Sequence, residues 1–224
     1  EREETDLNAA IASVVRILAN QLPRLGKLTD FEFIVAATMA DWPDAASNCA
    51  DVKWTLPAAT RVVVELESLP ALVAPKAIVL KLGCADSAKD AETVAKSALQ
   101  SPLLREFRAH CDRESEDDVA STPLPVSLNK AIADGAWPEL TVFRCDFWMP
   151  AQGLKYFHWP QLTELELVAS GCSPNQFEDV LARHPLLQTA ALRASQLASA
   201  AGEAKETARS AHAVGSAMVL GSLT

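Results

Sequence analysis

The stretch Trp159-Pro160-Gln161-Leu162-Thr163-Glu164-Leu165-Glu166-Leu167 decides how this chain is read. A proline is followed by Leu-x-x-Leu-x-Leu. The alternation at its end puts Leu165 and Leu167 on one face of an extended segment and Glu164 and Glu166 on the other. The arrangement recurs from Pro138 to Cys145, Pro185 to Leu192, Pro102 to Ala109, Pro75 to Leu82 and Pro57 to Val64. Leu28-Thr29-Asp30-Phe31-Glu32-Phe33 carries it without the proline. Each copy is predicted to be a short strand. Three apolar side chains on one strand cannot form a core alone, so the copies are expected to stack in parallel around a shared interior. A proline before each suits the end of a helix and an extended backbone that needs no N–H at that point.

Helical spacing fills the gaps. Leu7, Ile11, Val14, Val15, Leu18 and Leu22 predict a helix over 7–22, with Asp6 or Thr5 as its cap and Pro23 as its stop. Val94, Ala95, Ala98 and Leu99 predict one over 86–100, and Leu124, Leu128 and Ile132 one over 124–133 that ends at Asp134-Gly135. Ser173-Pro174-Asn175 reads as an N-cap with proline at the first helical position, with Phe177, Val180 and Leu181 facing inward. A short helix is expected over 45–48, a solvated loop over the charge run Asp112–Asp118, and a loop over 149–156. From Ala194 the composition turns to Ala, Ser, Gly, Glu and Lys, which predicts a marginal helix or tail. The chain thus divides into a repeat domain over 1–193, with 7–22 as its N-terminal cap, and a C-terminal segment over 194–224.

The 224 residues carry a formal charge of −9, with 49% hydrophobic and 22% charged residues. That is the profile of a globular protein, and it speaks against broad binding to nucleic acid or to anionic membranes. No apolar run is long enough to span a membrane. The chain opens on Glu1-Arg2-Glu3-Glu4 without Met, which reads as a processed or partial chain with any targeting segment out of view. Five cysteines, Cys49, Cys84, Cys111, Cys145 and Cys172, include no Cys-x-x-Cys pair. They read as reduced, structural thiols of a protein in a reducing intracellular compartment.

No chemistry stands out. There is no Gly-rich phosphate loop and no Gly-x-Ser-x-Gly elbow. His110 and Cys111 are neighbours on one strand and point to opposite faces. His158-Trp159-Pro160 and His184-Pro185 occupy equivalent turns, which reads as a structural role. No catalytic residue, metal ligand or cofactor is expected, and the protein is read as non-enzymatic.

The register supplies the candidate site. The residue between the last two inward positions of each copy points out of the sheet, giving Glu32, Val63, Lys81, Arg108, Arg144, Glu166 and Ala191. Lys81, Arg108 and Arg144 belong to consecutive copies and should form a basic row, since parallel strands lie about 4.8 Å apart. Arg105 and His110 are expected to flank it. Such a row suits an acidic segment of a protein partner. The competing reading is a solvated face with salt bridges to Glu106 and Asp146. The aromatic cluster Phe143, Phe147, Trp148, Tyr156, Phe157 and Trp159 reads as core packing, or as a contact ridge offering Trp148 and Tyr156.

Measured from the first inward residue, the copies begin at Leu28, Ala59, Ala77, Leu104, Leu140, Leu162 and Leu187, spaced 31, 18, 27, 36, 22 and 25 residues apart. The mean of about 26 falls inside the range of roughly 20–29 for leucine-rich repeats. The pattern resembles that family, in its ribonuclease-inhibitor-like and F-box-associated forms. The resemblance implies an α/β leucine-rich-repeat solenoid of about seven irregular repeats, with parallel strands on a concave face and helices behind. The alternative is an ordinary α/β domain with a parallel sheet. The family places Asn or Cys three residues after the last inward leucine, whereas Cys84 and Cys111 fall two residues after. In function the resemblance implies a protein-protein interaction module or a scaffold subunit of a large complex, binding through the concave face. A second reading is a substrate-recognition adaptor of a ubiquitin ligase, although the helix over 7–22 does not look like an F-box.

Overall fold

The computed structural model describes residues 2–35, 52–66, 68–85, 87–112, 122–170, 172–195 and 218–220. The repeated prolines explain where its strands begin. Pro57, Pro75, Pro138, Pro160 and Pro185 each take the second position of a four-residue turn. The fourth N–H donates to the first carbonyl: Ala59 to Leu56 (3.4 Å), Ala77 to Ala74 (3.0 Å), Leu140 to Trp137 (3.0 Å), Leu162 to Trp159 (3.0 Å) and Leu187 to His184 (3.1 Å). Proline suits that position because its ring presets φ and the turn needs no N–H there. The first inward residue of each of these five copies therefore closes a turn. The strands start two residues later than the sequence pattern predicts, at Asp30 rather than Leu28, for example, and at Glu164 rather than Leu162.

In chain order the strands are β1 (Asp30–Ile34), β2 (Lys53–Thr55), β3 (Arg61–Glu65), β4 (Ala71–Val73), β5 (Val79–Ala85), β6 (Glu106–Asp112), β7 (Val142–Pro150), β8 (Glu164–Ser170), β9 (Thr189–Ser195) and β10 (Met218–Leu220). The helices are α1 (Arg2–Gln21), α2 (Ala88–Leu99), α3 (Val126–Ala133) and α4 (Pro174–Arg183). The main sheet has the order β1-β3-β5-β6-β7-β8-β9-β10. Its first seven strands are parallel, each beside its successor, and β10 joins β9 antiparallel. The fold is thus α/β with a mostly parallel sheet. Phe31, Val62, Leu80, Phe107, Phe143, Leu165 and Ala190 stand opposite one another in a single inward row, as the alternation predicts.

One hydrogen-bond joint is repeated at all six junctions. A single carbonyl just before a strand accepts two consecutive N–H groups from the next unit. Thr29 O takes those of Thr60 and Arg61, Thr60 O those of Ile78 and Val79, and Ile78 O those of Arg105 and Glu106. Arg105 O takes Thr141 and Val142, Thr141 O takes Thr163 and Glu164, and Thr163 O takes Gln188 and Thr189. Backbone N–H and C=O groups need partners, and at these joints each unit finds them in its neighbour.

A second series of links runs along the turns themselves. Ser101 Oγ donates to Ala74 O (3.1 Å), Trp137 Nε1 to Ser101 O (3.1 Å) and Trp159 Nε1 to Ala136 O (2.9 Å). Trp159 N donates to His184 Nε2 (3.3 Å). Trp137 reaches its carbonyl from a left-handed backbone, φ 55°, and its ring stacks on Phe107 at 6.1 Å. His184 is buried, and its Nδ1 faces Val180 O at 2.6 Å. Both contacts are satisfied only by the neutral ring with its proton on Nδ1. Burial lowers the pKa of His184 below its ordinary 6.5. Unfolding therefore takes up a proton as pH falls through that value. The stability His184 contributes is full above pH about 6.5 and is lost as pH falls toward the lower folded value. Thermal melts of the native protein should show the melting temperature dropping between pH 7 and pH 5.5, and His184→Leu should flatten that slope; equal slopes in both would refute the assignment.

The layer behind the sheet differs from unit to unit. Between β3 and β5 there is no room for a helix, and β4 pairs in parallel with β2 as a separate two-stranded ribbon. Trp54 on β2 is fully buried, meets Phe31 and Phe33 edge-on at 5.4 and 5.3 Å, and donates its indole N–H to Val15 O of α1. α2 is capped by Ser87, whose Oγ accepts from Asp90 N. The buried Asp90 carboxylate accepts the Leu69 N–H, and Ser97 Oγ accepts the Leu72 N–H, which ties the ribbon to the helix. α3 ends at Gly135, φ 77°, with Gly135 N bonded to Ile132 O and Ala136 N to Ala131 O. α4 begins with the capping box of Ser173 and Gln176.

Several expectations need correction. β7 continues to Pro150, and Ala151–Tyr156 is a 3-10 helix, not a loop. Arg183 fixes that turn by donating to the carbonyls of Leu154, Lys155 and Phe157. β9 runs on to Ser195, and 218–220 form the short strand β10; the rest of the segment expected as a helix or tail lies outside the described residues. The helix expected over 45–48, the loop residues 113–121 and Cys49 lie outside the described residues. Cys84, Cys111 and Cys145 are buried and free. A hydrogen bond with Cys111, then burial, pushes the Cys84 thiol up, and burial does the same for Cys145. Inert, protonated thiols follow from that setting.

Candidate functional site

The outward face of the sheet is built by strand alternation alone. Glu32, Val63, Lys81, Arg108, Arg144, Glu166 and Ala191 stand side by side, the row the sequence register predicts. Two residues earlier on each strand runs a second outward row: Asp30, Arg61, Val79, Glu106, Val142, Glu164 and Thr189. The two rows interlock. Lys81 Nζ lies 2.9 Å from Glu106, and Arg108 lies 2.6 Å from the same carboxylate. Arg108 also reaches Glu164 at 3.6 Å, Arg144 meets Glu164 at 2.8 Å, and Arg144 meets Glu166 at 3.7 Å. The product is a six-member ladder of alternating charge across four strands.

The cations are each about one-third exposed, at 32% for Lys81, 28% for Arg108 and 38% for Arg144. Val63 and Val142, in the same two outward rows, are buried. Burial alone would raise the Glu106 carboxyl, but hydrogen bonds from Lys81 and Arg108 outweigh it and hold its pKa below the ordinary 4.5. The basic row is therefore present as geometry and compensated as charge. Glu106 is the salt-bridge partner the sequence suggests. Asp146 is not among the ladder's carboxylates, and its Oδ2 accepts the Cys111 N–H at 3.3 Å. Glu164 takes the central place instead, a role visible only once both rows are written out.

The remaining candidates separate. Arg105 precedes β6, is largely exposed, and faces Glu139 at 3.9 Å, off the row. His110 lies over Gly83 on the outward face, so close that a Cβ at Gly83 would come within 2.5 Å of His110 Nε2. Trp148 and Tyr156 stand on different elements, β7 and the 3-10 helix that follows it. A bulge in β7 places two extra residues between Cys145 and Trp148, and Trp148 pairs with Val168 on the outward face. There β7 changes partner, exchanging hydrogen bonds with Thr122 and Leu124 beyond the end of its pairing with β6. Tyr156 is exposed at the end of the 3-10 helix that packs on α4, under Lys155 Nζ at 4.8 Å. Beside it a small open hollow lies between Ala151, Leu154 and Lys155 on one side and Gln176, Asp179 and Arg183 on the other.

Among the described residues no three His, Cys, Asp or Glu side chains converge as a metal site, and no helix is long and apolar enough to cross a membrane. Compared with protein families, with curated proteins and with solved structures, the chain matches none.

Proposed function

We propose that the seven parallel units form a leucine-rich-repeat solenoid, and that the protein is a non-enzymatic interaction module or a scaffold subunit of a larger assembly. The observation that carries the reading is the repeated joint, one carbonyl accepting two N–H groups at six successive junctions, with every strand beside its successor. A chain built from nearest-neighbour units presents a broad, rigid sheet face, which is the geometry of a binding surface. The outward rows of β1 to β9 supply that surface. The long side chains of Lys81, Arg108 and Arg144 are pinned by their carboxylates, so little rotamer freedom remains to be lost on contact.

Site-directed photo-crosslinking in native extract tests this. A crosslinking residue at Thr189 or Val79, on the outward face, is expected to yield a discrete protein adduct. The same residue at Glu92, on the exposed side of α2, is not. Adducts only from Glu92, or from neither face, would sink the proposal.

A further inference from the structure

The outward face carries more negative charge than its row of cations suggests. Arg61, Lys81, Arg108 and Arg144 stand on it, and each is already held by a carboxylate: Arg61 by Glu32 at 3.0 Å, the others by Glu106, Glu164 and Glu166. Two more carboxylates share the face. Asp30 stands in the row of Glu106, and Glu65 stands beside Gly83 in the row of His110. Neither has an ion pair among the described residues; Asp30 accepts only the Thr29 hydroxyl at 2.9 Å. The chain as a whole is also negative, at −9.

The acidic partner segment expected from the basic row thus faces an unfavourable exchange. Each of its carboxylates would have to displace Glu106, Glu164 or Glu166 from a cation, in a field already negative. A segment bearing Lys or Arg meets no such competition. It finds unpaired acceptors at Asp30 and Glu65 and can share the outer oxygens of the ladder carboxylates, since a carboxylate accepts several hydrogen bonds. We infer that the partner segment recognised by this face is cationic, an extended stretch of protein rich in Lys and Arg. The inference rests on the reading of the face as a binding surface and assigns its partner chemistry.

The test uses the full chain and two labelled peptides, one alternating Lys and Ser, the other alternating Glu and Ser, followed by fluorescence anisotropy at physiological ionic strength. The Lys peptide is expected to bind, and the Glu peptide not. Asp30→Asn with Glu65→Gln should weaken Lys-peptide binding about fivefold or more. Glu92→Gln with Glu178→Gln makes the same change in net charge on the exposed sides of α2 and α4, and should cost less than about twofold. Preferential binding of the Glu peptide, weakened by Arg108→Gln, would overturn the cationic assignment and leave the face as the binding surface. Equal losses from both double variants would remove the face itself as the site. Failure of both peptides to bind would overturn the inference.

Discussion

Phe143→Ala should cost about 3–5 kcal/mol of folding stability, the usual range for truncating a buried aromatic ring. Phe143 is fifth of the seven residues in the inward row and sits at the centre of a ring cluster. Its centroid lies 5.6 Å from Phe107, 5.4 Å from Phe157 and 5.0 Å from Trp159, the last two being 4.9 Å from each other. All four rings are almost fully buried, and Phe107 passes the stack on to Trp137. The cavity would open between β6, β7 and β8, where the backbone joints hold strand spacing and leave little room for collapse. A fall in melting temperature of roughly 10 °C is expected for a chain of this size. Phe143→Leu, which keeps most of the volume, should lose far less. A loss below about 1 kcal/mol for Phe143→Ala would mean that the ring cluster does not anchor the middle of the sheet.

Reversing two charges on the outward face is the next largest effect. Arg108→Glu together with Arg144→Glu removes four ion-pair contacts and sets new carboxylates against Glu106, Glu164 and Glu166. Individual half-exposed pairs contribute little, but a connected network with like charges imposed across neighbouring strands should lose roughly 2–3 kcal/mol after allowance for solvent screening. The loss should shrink at high salt, because the repulsion is screened. Arg108→Gln with Arg144→Gln should lose about half as much. Thermal melts at two salt concentrations decide the matter: a salt-independent loss would mean that packing of the arginine stems, not charge, holds this face together. Charge reversal is therefore a poor probe of partner binding here, and neutral substitutions are the cleaner choice.

Much of this architecture was legible in the chain. A period of two locates the inward row, and Leu80, Phe107, Phe143 and Leu165 fall in it as neighbours. The outward row follows from the same parity. The strands start two residues later than the pattern predicts because the leucine or alanine closing each proline turn is as apolar as the inward residues of the strand. The ribbon of β2 and β4 gave no signal, since three-residue strands are too short to show alternation. The ladder was half visible. Glu106 was named as a partner, but Glu164 as its centre required the second outward row, two positions upstream in every copy. Trp148 and Tyr156 are close in sequence but belong to different elements, β7 beyond its bulge and the 3-10 helix, neither of which has a periodic signature.

The doubled acceptor between units has one more consequence. What fills the space behind each strand varies, a ribbon in one place, helices and a 3-10 turn in others, while the joint itself never changes. The spine is indifferent to its upholstery. A whole segment cut at two equivalent acceptors, from Thr141 to Leu162 for instance, carries its own donors, the Thr141 and Val142 N–H groups, and its own acceptor, Thr141 O. Splicing a second copy in tandem would lengthen the protein by one rung without asking any existing rung to change its hold.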